Sequence, residues 1–165
     1  MRTSNPDTAV TKQVFGLTVA QAAGVTRSMA YALVPNATES GLRSYQHGRI
    51  AVLSNTPRMQ AIQHLGLRLT GANTFTPGAH NLPGLTIDGP ASVLLRRQSS
   101  AVTVAVSDPT TARDTVTVNL WAQYLRPASP APGVQVLRTV AGTRLTFTTH
   151  HTNGRSLAVR LLPAW

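Results

Sequence analysis

Cysteine is missing altogether. Its absence removes disulfide scaffolds, thiolate metal sites and cysteine nucleophiles together, and leaves the redox compartment open. Acids are nearly missing: Asp7, Glu39, Asp88, Asp108 and Asp114 are the whole set. No two are spaced as a catalytic carboxylate pair, and a cage of hard oxygens would have to be gathered from distant points of the chain. Aromatics make up 5% of the residues. No apolar run approaches the roughly 18–20 residues needed to cross a bilayer, so no membrane-spanning helix is expected. The opening MRTSNPDTAVTKQVF has neither an apolar core nor a small-residue cleavage site, so no secretory signal is expected in this chain. A nucleophile elbow of the Gly-x-Ser-x-Gly type and a Gly-rich phosphate loop are likewise lacking.

What is present is positive charge. Fifteen basic residues face five acids, for a net +10, and every basic residue but Lys12 is arginine. Such a surface attracts polyanions: nucleic acid, acidic polysaccharide or an anionic membrane. Arginine adds forked recognition of carboxylate, sulfate or phosphate. Hydrophobic residues reach 42% over 165 positions, enough for one ordinary domain or two small ones with a real core.

Along the chain, residues 1–13 are polar, carry the turn signal Asn5-Pro6-Asp7 and are expected to be disordered. Residues 14–20 and 29–34 read as strands. Thr38 can cap a short helix that runs to Gln46 and ends at Gly48. Residues 50–53 suggest a brief strand. Thr56 and Pro57 resemble a helix start, with Met59 and Ile62 on one face and Gly66 as the stop, so a second helix is expected over 57–65. Residues 71–90, rich in Gly, Pro, Asn and Thr, read as a loop. The period then becomes two: Val93 and Leu95; Val102, Val104 and Val106; Val116, Val118 and Leu120; Leu145 and Phe147; Leu157, Val159 and Leu161. Turn chemistry at Ser107-Asp108-Pro109, Ala141-Gly142 and Asn153-Gly154 separates these runs. The fold class expected is all-β: antiparallel sandwich or sandwiches with one or two short helices.

Five histidines are present, at positions 47, 64, 80, 150 and 151. His150 and His151 are adjacent at a strand end, so their rings should point to opposite faces and not share an ion. No metal and no cofactor are expected. Trp121 and Tyr124 sit near the end of a strand, just before Arg126, and Arg96 and Arg97 end another. Flat aromatic faces beside guanidinium groups can stack on sugar rings while holding an acidic substituent. Arg96, Arg97, Trp121, Tyr124 and Arg126 are therefore the candidate carbohydrate contacts, with closure of the core's edge as the plainer role for Trp121. No catalytic residue can be named. Scarce aromatics and the lack of an RNP-like or helix-turn-helix pattern argue against nucleic acid.

Three ordered stretches carry a resemblance. SMAYALVPNATESGLRSYQ is similar to the "SYAYxLLPNA" segment of polysaccharide lyase family 8, the hyaluronate, chondroitin AC and xanthan lyases. IAVLSNTPRMQAIQHLGLRLTGANTF resembles that family's "VEVLANTxxVQAVxH…LGLTxANFW" segment, and GPASVLLRRQSSAVTVAVSDPTTARDTVTVNL its "PASVLVRR…LTLAVSDPTxxxxTVTVxL" segment. Order and spacing agree over roughly residues 28–120. The tail, VQVLRTVAGTRLTF to GRSLAVRL, resembles the final strands of actinobacterial members. Upstream, Gln21-Ala22-Ala23-Gly24 stands where family members show an aromatic-rich strand.

The resemblance implies that residues 1–47 are terminal strands of a central lyase sandwich and residues 48–165 a C-terminal antiparallel β-domain. It implies a parent that cleaves acidic polysaccharide by β-elimination, with a neutralising Asn and a His/Tyr base–acid pair in a helical toroid that this chain does not contain. His64 matches the His of the "QAVxH" motif, which is structural. Expected partners are an acidic polysaccharide, glycosaminoglycan or xanthan-like, and a separate catalytic lyase chain; the expected location is extracellular. Two other readings compete: an inactive orphan gene fragment, and a basic nucleic-acid-binding β-protein motivated by charge alone.

Overall fold

A computed structural model describes residues 49–164, 33–45 and 29–31, with isolated positions 18, 20 and 22–24. The expected strand at 14–20 lies mostly outside the described residues, as do Asp7, His47 and Trp165. The chain divides into two compact units, Met1–Tyr31 and Ala32–Trp165. In the first, the described residues form no helix or strand.

The second unit begins with one short helix, α1 (Glu39–Arg43), capped as expected: the Thr38 hydroxyl accepts from the Gly41 amide at 3.1 Å. Strands follow: β1 (Ile50–Asn55), β2 (Met59–His64), β3 (Leu69–Leu82), β4 (Leu85–Arg97), β5 (Val102–Ser107), β6 (Thr115–Trp121), β7 (Leu125–Pro127), β8 (Val134–Thr139), β9 (Gly142–Thr148) and β10 (Leu157–Pro163). All pairings are antiparallel and join the ten strands into one hydrogen-bonded network. The all-β expectation holds.

The network makes two leaves because β4 serves both. Its later half, Ser92–Arg97, pairs with β5; its first residues, Leu85–Ile87, pair with β6. One leaf runs β1-β2-β3-β4-β5-β10-β7 and the other β3-β4-β6-β9-β8. The β3–β4 hairpin bends where its register shifts, between Thr74 and Gly78. There the Thr74 hydroxyl both donates to the Ala91 carbonyl (3.2 Å) and accepts from the Ala91 amide (2.8 Å). The bend brings the far ends of β4 together: Arg97 Nη2 lies 3.7 Å from where a Cβ on Gly84 would stand. Between the leaves one cluster gathers Leu85, Ile87, Leu95, Val104, Val106, Val116, Val118, Leu120, Leu145, Phe147, Val159 and Leu161, nearly all without solvent contact. Burying each such side chain stabilises the fold by about 1.5–3 kcal/mol.

Three sequence expectations fail. Residues 57–65 form strand β2, not a helix; Met59 and Ala61 are buried while Gln60 and Ile62 are exposed, which is period two. The Thr56 hydroxyl does accept from the Met59 amide (3.1 Å), as a helix cap would, but here it closes the β1–β2 turn. Residues 71–90 are not a loop but most of the longest hairpin, because their Gly and Pro residues mark its bend and its turn at Gly84. Among the described residues of 29–34 there is no strand, since no other described strand pairs with them.

The outer faces of the leaves differ in chemistry. Across the first, the register aligns Val52, Ile62, Gly71, Leu94, Ala105 and Ala158 in one apolar row crossing six strands. Val52, Ile62 and Leu94 are about half exposed there. Across the second, the corresponding row is Asn81, Thr86, Asn119, Arg144 and Leu137, with Thr117, Thr146 and Gln135 beside it.

Candidate functional site

Trp121 ends β6 opposite Gly142. Its Nε1 donates to the Thr86 hydroxyl at 2.7 Å, and Thr86 in turn donates to Asn81 Oδ1 at 2.8 Å. The indole is thus held in one orientation, yet 44% of the residue is exposed. One pair further along the same face, Arg144 Nε donates to Asn119 Oδ1 at 3.1 Å. Asn119, Trp121, Thr139, Val140, Gly142 and Arg144 line a shallow depression of about 210 Å³.

Tyr124 lies just past β6, against the β8–β9 tip. Its hydroxyl donates to the Val140 carbonyl at 3.0 Å, and the Arg138 guanidinium covers its ring, 5.9 Å from the centroid. Arg138 alternates along β8 with Leu137, the partner of Arg144, and so belongs to the opposite face. Arg97 follows the inward-facing positions of β4 and reaches across the sandwich rim to the Gly84 turn. Burial pushes its guanidinium pKa down, though it stays charged. The Gly84 carbonyl accepts from the Trp121 amide (3.2 Å), so Arg97 and Trp121 meet at one corner. Arg96 stands on the outer face of the first leaf between Leu69 and Thr103, and Arg126 sits on β7 opposite Leu162. Of the five sequence candidates, then, Trp121 and Arg97 share a corner, and the other three stand apart. Arg144, Asn119 and Arg138 carried no sequence signal beyond being polar positions of alternating strands.

The acids are engaged elsewhere. Glu39 pairs with Arg43 on α1. Asp88 pairs with Arg113, whose Nη1 also donates to the Asp88 carbonyl at 2.8 Å. Asp114 takes His150 Nδ1 at 2.9 Å. Asp108 is buried in the β5–β6 loop. Burial alone would raise its pKa, but the Thr110 hydroxyl and the amides of Arg113, Thr110 and Ala112 outweigh it and hold the carboxyl below its ordinary value. Each described carboxylate thus has a basic or hydrogen-bonding partner. His150 and His151 contradict the expectation of opposite faces. Their ring centroids are 3.7 Å apart, because His151 adopts φ +58° and leaves the strand geometry that would separate them. No group of three or more His, Asp or Glu able to hold a metal occurs among the described residues.

The family profile of the polysaccharide lyase family 8 C-terminal beta-sandwich domain matches residues 51–117. This chain carries that domain. A hyaluronate lyase of Thermasporomyces composti is 37% identical over 123 residues, covering 73% of this chain and 15% of its own length. The solved Paenibacillus xanthan lyase superposes with a TM-score of 0.73 at 23% identity, over 80% of this chain and 13% of that one. The chondroitin AC lyase of Streptomyces coelicolor A3 gives 0.66 at 26% identity, over 78% and 17%. The chain therefore spans less than a fifth of the length of these lyases. Within the lyase domain, His64 holds a turn in place: its Nδ1 accepts from the Leu67 amide at 3.2 Å and closes the β2–β3 connection.

Proposed function

We propose that this chain is the non-catalytic C-terminal β portion of a family 8 polysaccharide lyase and that it holds acidic polysaccharide such as hyaluronate or chondroitin. Elimination itself is the work of the parent's other domains. Residues 48–165 act as the C-terminal domain, and residues 1–47 belong with a preceding sandwich whose strands would pair them. One observation carries the reading: the match lies in a C-terminal domain family while every described carboxylate is tied to a structural partner. The net charge of +10 supplies long-range attraction to a polyanion, weakened by salt. An extracellular setting fits such a substrate.

The test has two arms. Incubated with hyaluronan, chondroitin or xanthan, the chain should give no rise in the ultraviolet absorbance of unsaturated uronate. On immobilised hyaluronan it should be retained at low salt and released as salt rises. Robust turnover would refute the non-catalytic assignment; absence of retention at low salt would refute the binding role.

A further inference from the structure

We propose that the outer face of the second leaf, between Trp121 and Arg144, is a subsite for a uronic-acid residue of a polysaccharide strand. The inference rests on the binding role above and names the residues and the sugar chemistry. Trp121 and Arg144 are diagonal neighbours across β6 and β9, since Trp121 pairs with Gly142 and Asn119 with Arg144. Such positions stand about 7–8 Å apart. No side chain rises from Gly142 between them.

Both groups are held before any ligand arrives. The indole is fixed through Thr86 and Asn81, and the guanidinium through Asn119. The Nη1 and Nη2 atoms of Arg144 make no hydrogen bond among the described residues, so the fork that matches a carboxylate is available. The exposed indole presents an apolar plane of the kind a pyranose ring covers. A sugar stacked there directs an equatorial carboxylate toward Arg144, while Thr117, Thr146 and Gln135 continue the face with neutral polar groups. The carboxylates flanking this leaf, Asp88 and Asp114, are engaged by Arg113 and His150. Tyr124 is as exposed as Trp121, but one face of its ring already has the Arg138 guanidinium 5.9 Å from its centroid and its hydroxyl is tied to the Val140 carbonyl. The chemistry thus favours an acidic sugar over a neutral one.

Affinity electrophoresis of the full chain in gels containing hyaluronan, or hyaluronan with its carboxyls reduced, tests this. Trp121→Ala and Arg144→Gln should each weaken hyaluronan binding about tenfold, roughly one hydrogen-bonded or stacked contact's worth. Trp121→Phe, which keeps a ring, should lose less, and it stands in if the alanine variant fails to fold. Arg138→Gln, on the other face, removes the same single charge and should weaken binding far less than Arg144→Gln does. Carboxyl reduction should weaken wild type and variant alike, because it also removes the long-range attraction to the +10 chain, but the gap between wild type and Arg144→Gln should close on the reduced polymer. Wild-type binding indifferent to Trp121 and Arg144 overturns the subsite while leaving the binding role standing. No wild-type binding overturns both. Tighter binding to duplex DNA than to hyaluronan at the same salt overturns the subsite in favour of phosphodiester recognition.

Discussion

Replacing Gly142 with alanine probes the point where β6, β9 and the β8–β9 tip come closest. Gly142 has φ +141°, a conformation L residues rarely adopt. Holding a side chain there costs about 1–3 kcal/mol in backbone strain. The new Cβ would also overlap the Leu120 carbonyl oxygen and stand 3.0 Å from the Ala122 nitrogen. Both are backbone atoms, so relief requires parting the strands at the Trp121–Gly142 pair. That separation endangers the Ala122-to-Ala141 amide bond of 2.8 Å, a further loss of about 1 kcal/mol. The expected total is about 2–4 kcal/mol. Gly154→Ala is the comparison. Its φ is +77°, but the nearest atoms to a new Cβ are 3.8 and 4.0 Å away, so only the left-handed penalty of about 1–2 kcal/mol applies. For a domain of this size each kcal/mol moves the melting temperature by about 2–4 °C. Thermal unfolding followed by circular dichroism should place Gly142→Ala about 3–6 °C below Gly154→Ala, from an expected difference of about 1.5 kcal/mol. Equal shifts would refute the close approach of these backbones.

Phe147, without solvent contact at the centre of the core, should cost about 3–5 kcal/mol as Phe147→Ala, read as a lower urea midpoint; a loss under about 1 kcal/mol would place it outside the packed interior. Asp108→Asn should destabilise the chain by about 1–3 kcal/mol at neutral pH, because it weakens charge-assisted bonds from Thr110 and Arg113. The pH dependence has a definite sign. The folded pKa of Asp108 is depressed, so its contribution is present above the unfolded carboxylate value of about 3.9 and is lost as pH falls through the folded value. Wild type should therefore lose stability in acid more steeply than Asp108→Asn; parallel profiles would remove Asp108 as the cause.

Much of the sandwich is legible in the sequence because alternation is written plainly there. Val102, Val104 and Val106, or Val116, Val118 and Leu120, can satisfy period two and nothing else, and each run is a strand with the expected face buried. Strand β2 reads as a helix because Thr56 accepts the same amide hydrogen bond at a tight turn as at a helix start, and Pro57 suits both; only the burial of Ala61 against exposed Ile62 distinguishes them. The β3–β4 hairpin is hidden by its own bend, since the Gly and Pro that break a local pattern are the residues a folded-back strand pair requires. For the site, sequence adjacency misleads: Trp121 and Tyr124 are three apart but the chain turns at Ala122 (φ +55°), and Trp121 is held by Thr86 while Tyr124 is held by the Val140 carbonyl. Arg144 is invisible as a neighbour of Trp121 because the β6–β9 register that joins them spans more than twenty residues.

The shared β3–β4 hairpin has a kinetic and mechanical corollary. Since one pair of strands threads both layers, neither layer can come apart or assemble as a separate cooperative unit. Folding must close long loops, from β4 to β6 and from β5 to β10, before either layer is complete, which predisposes the domain to slow, all-or-none acquisition of structure. Pulled from its ends, such a domain should rupture in a single event, so that a stretching trace would show one force peak and no separate release of either layer.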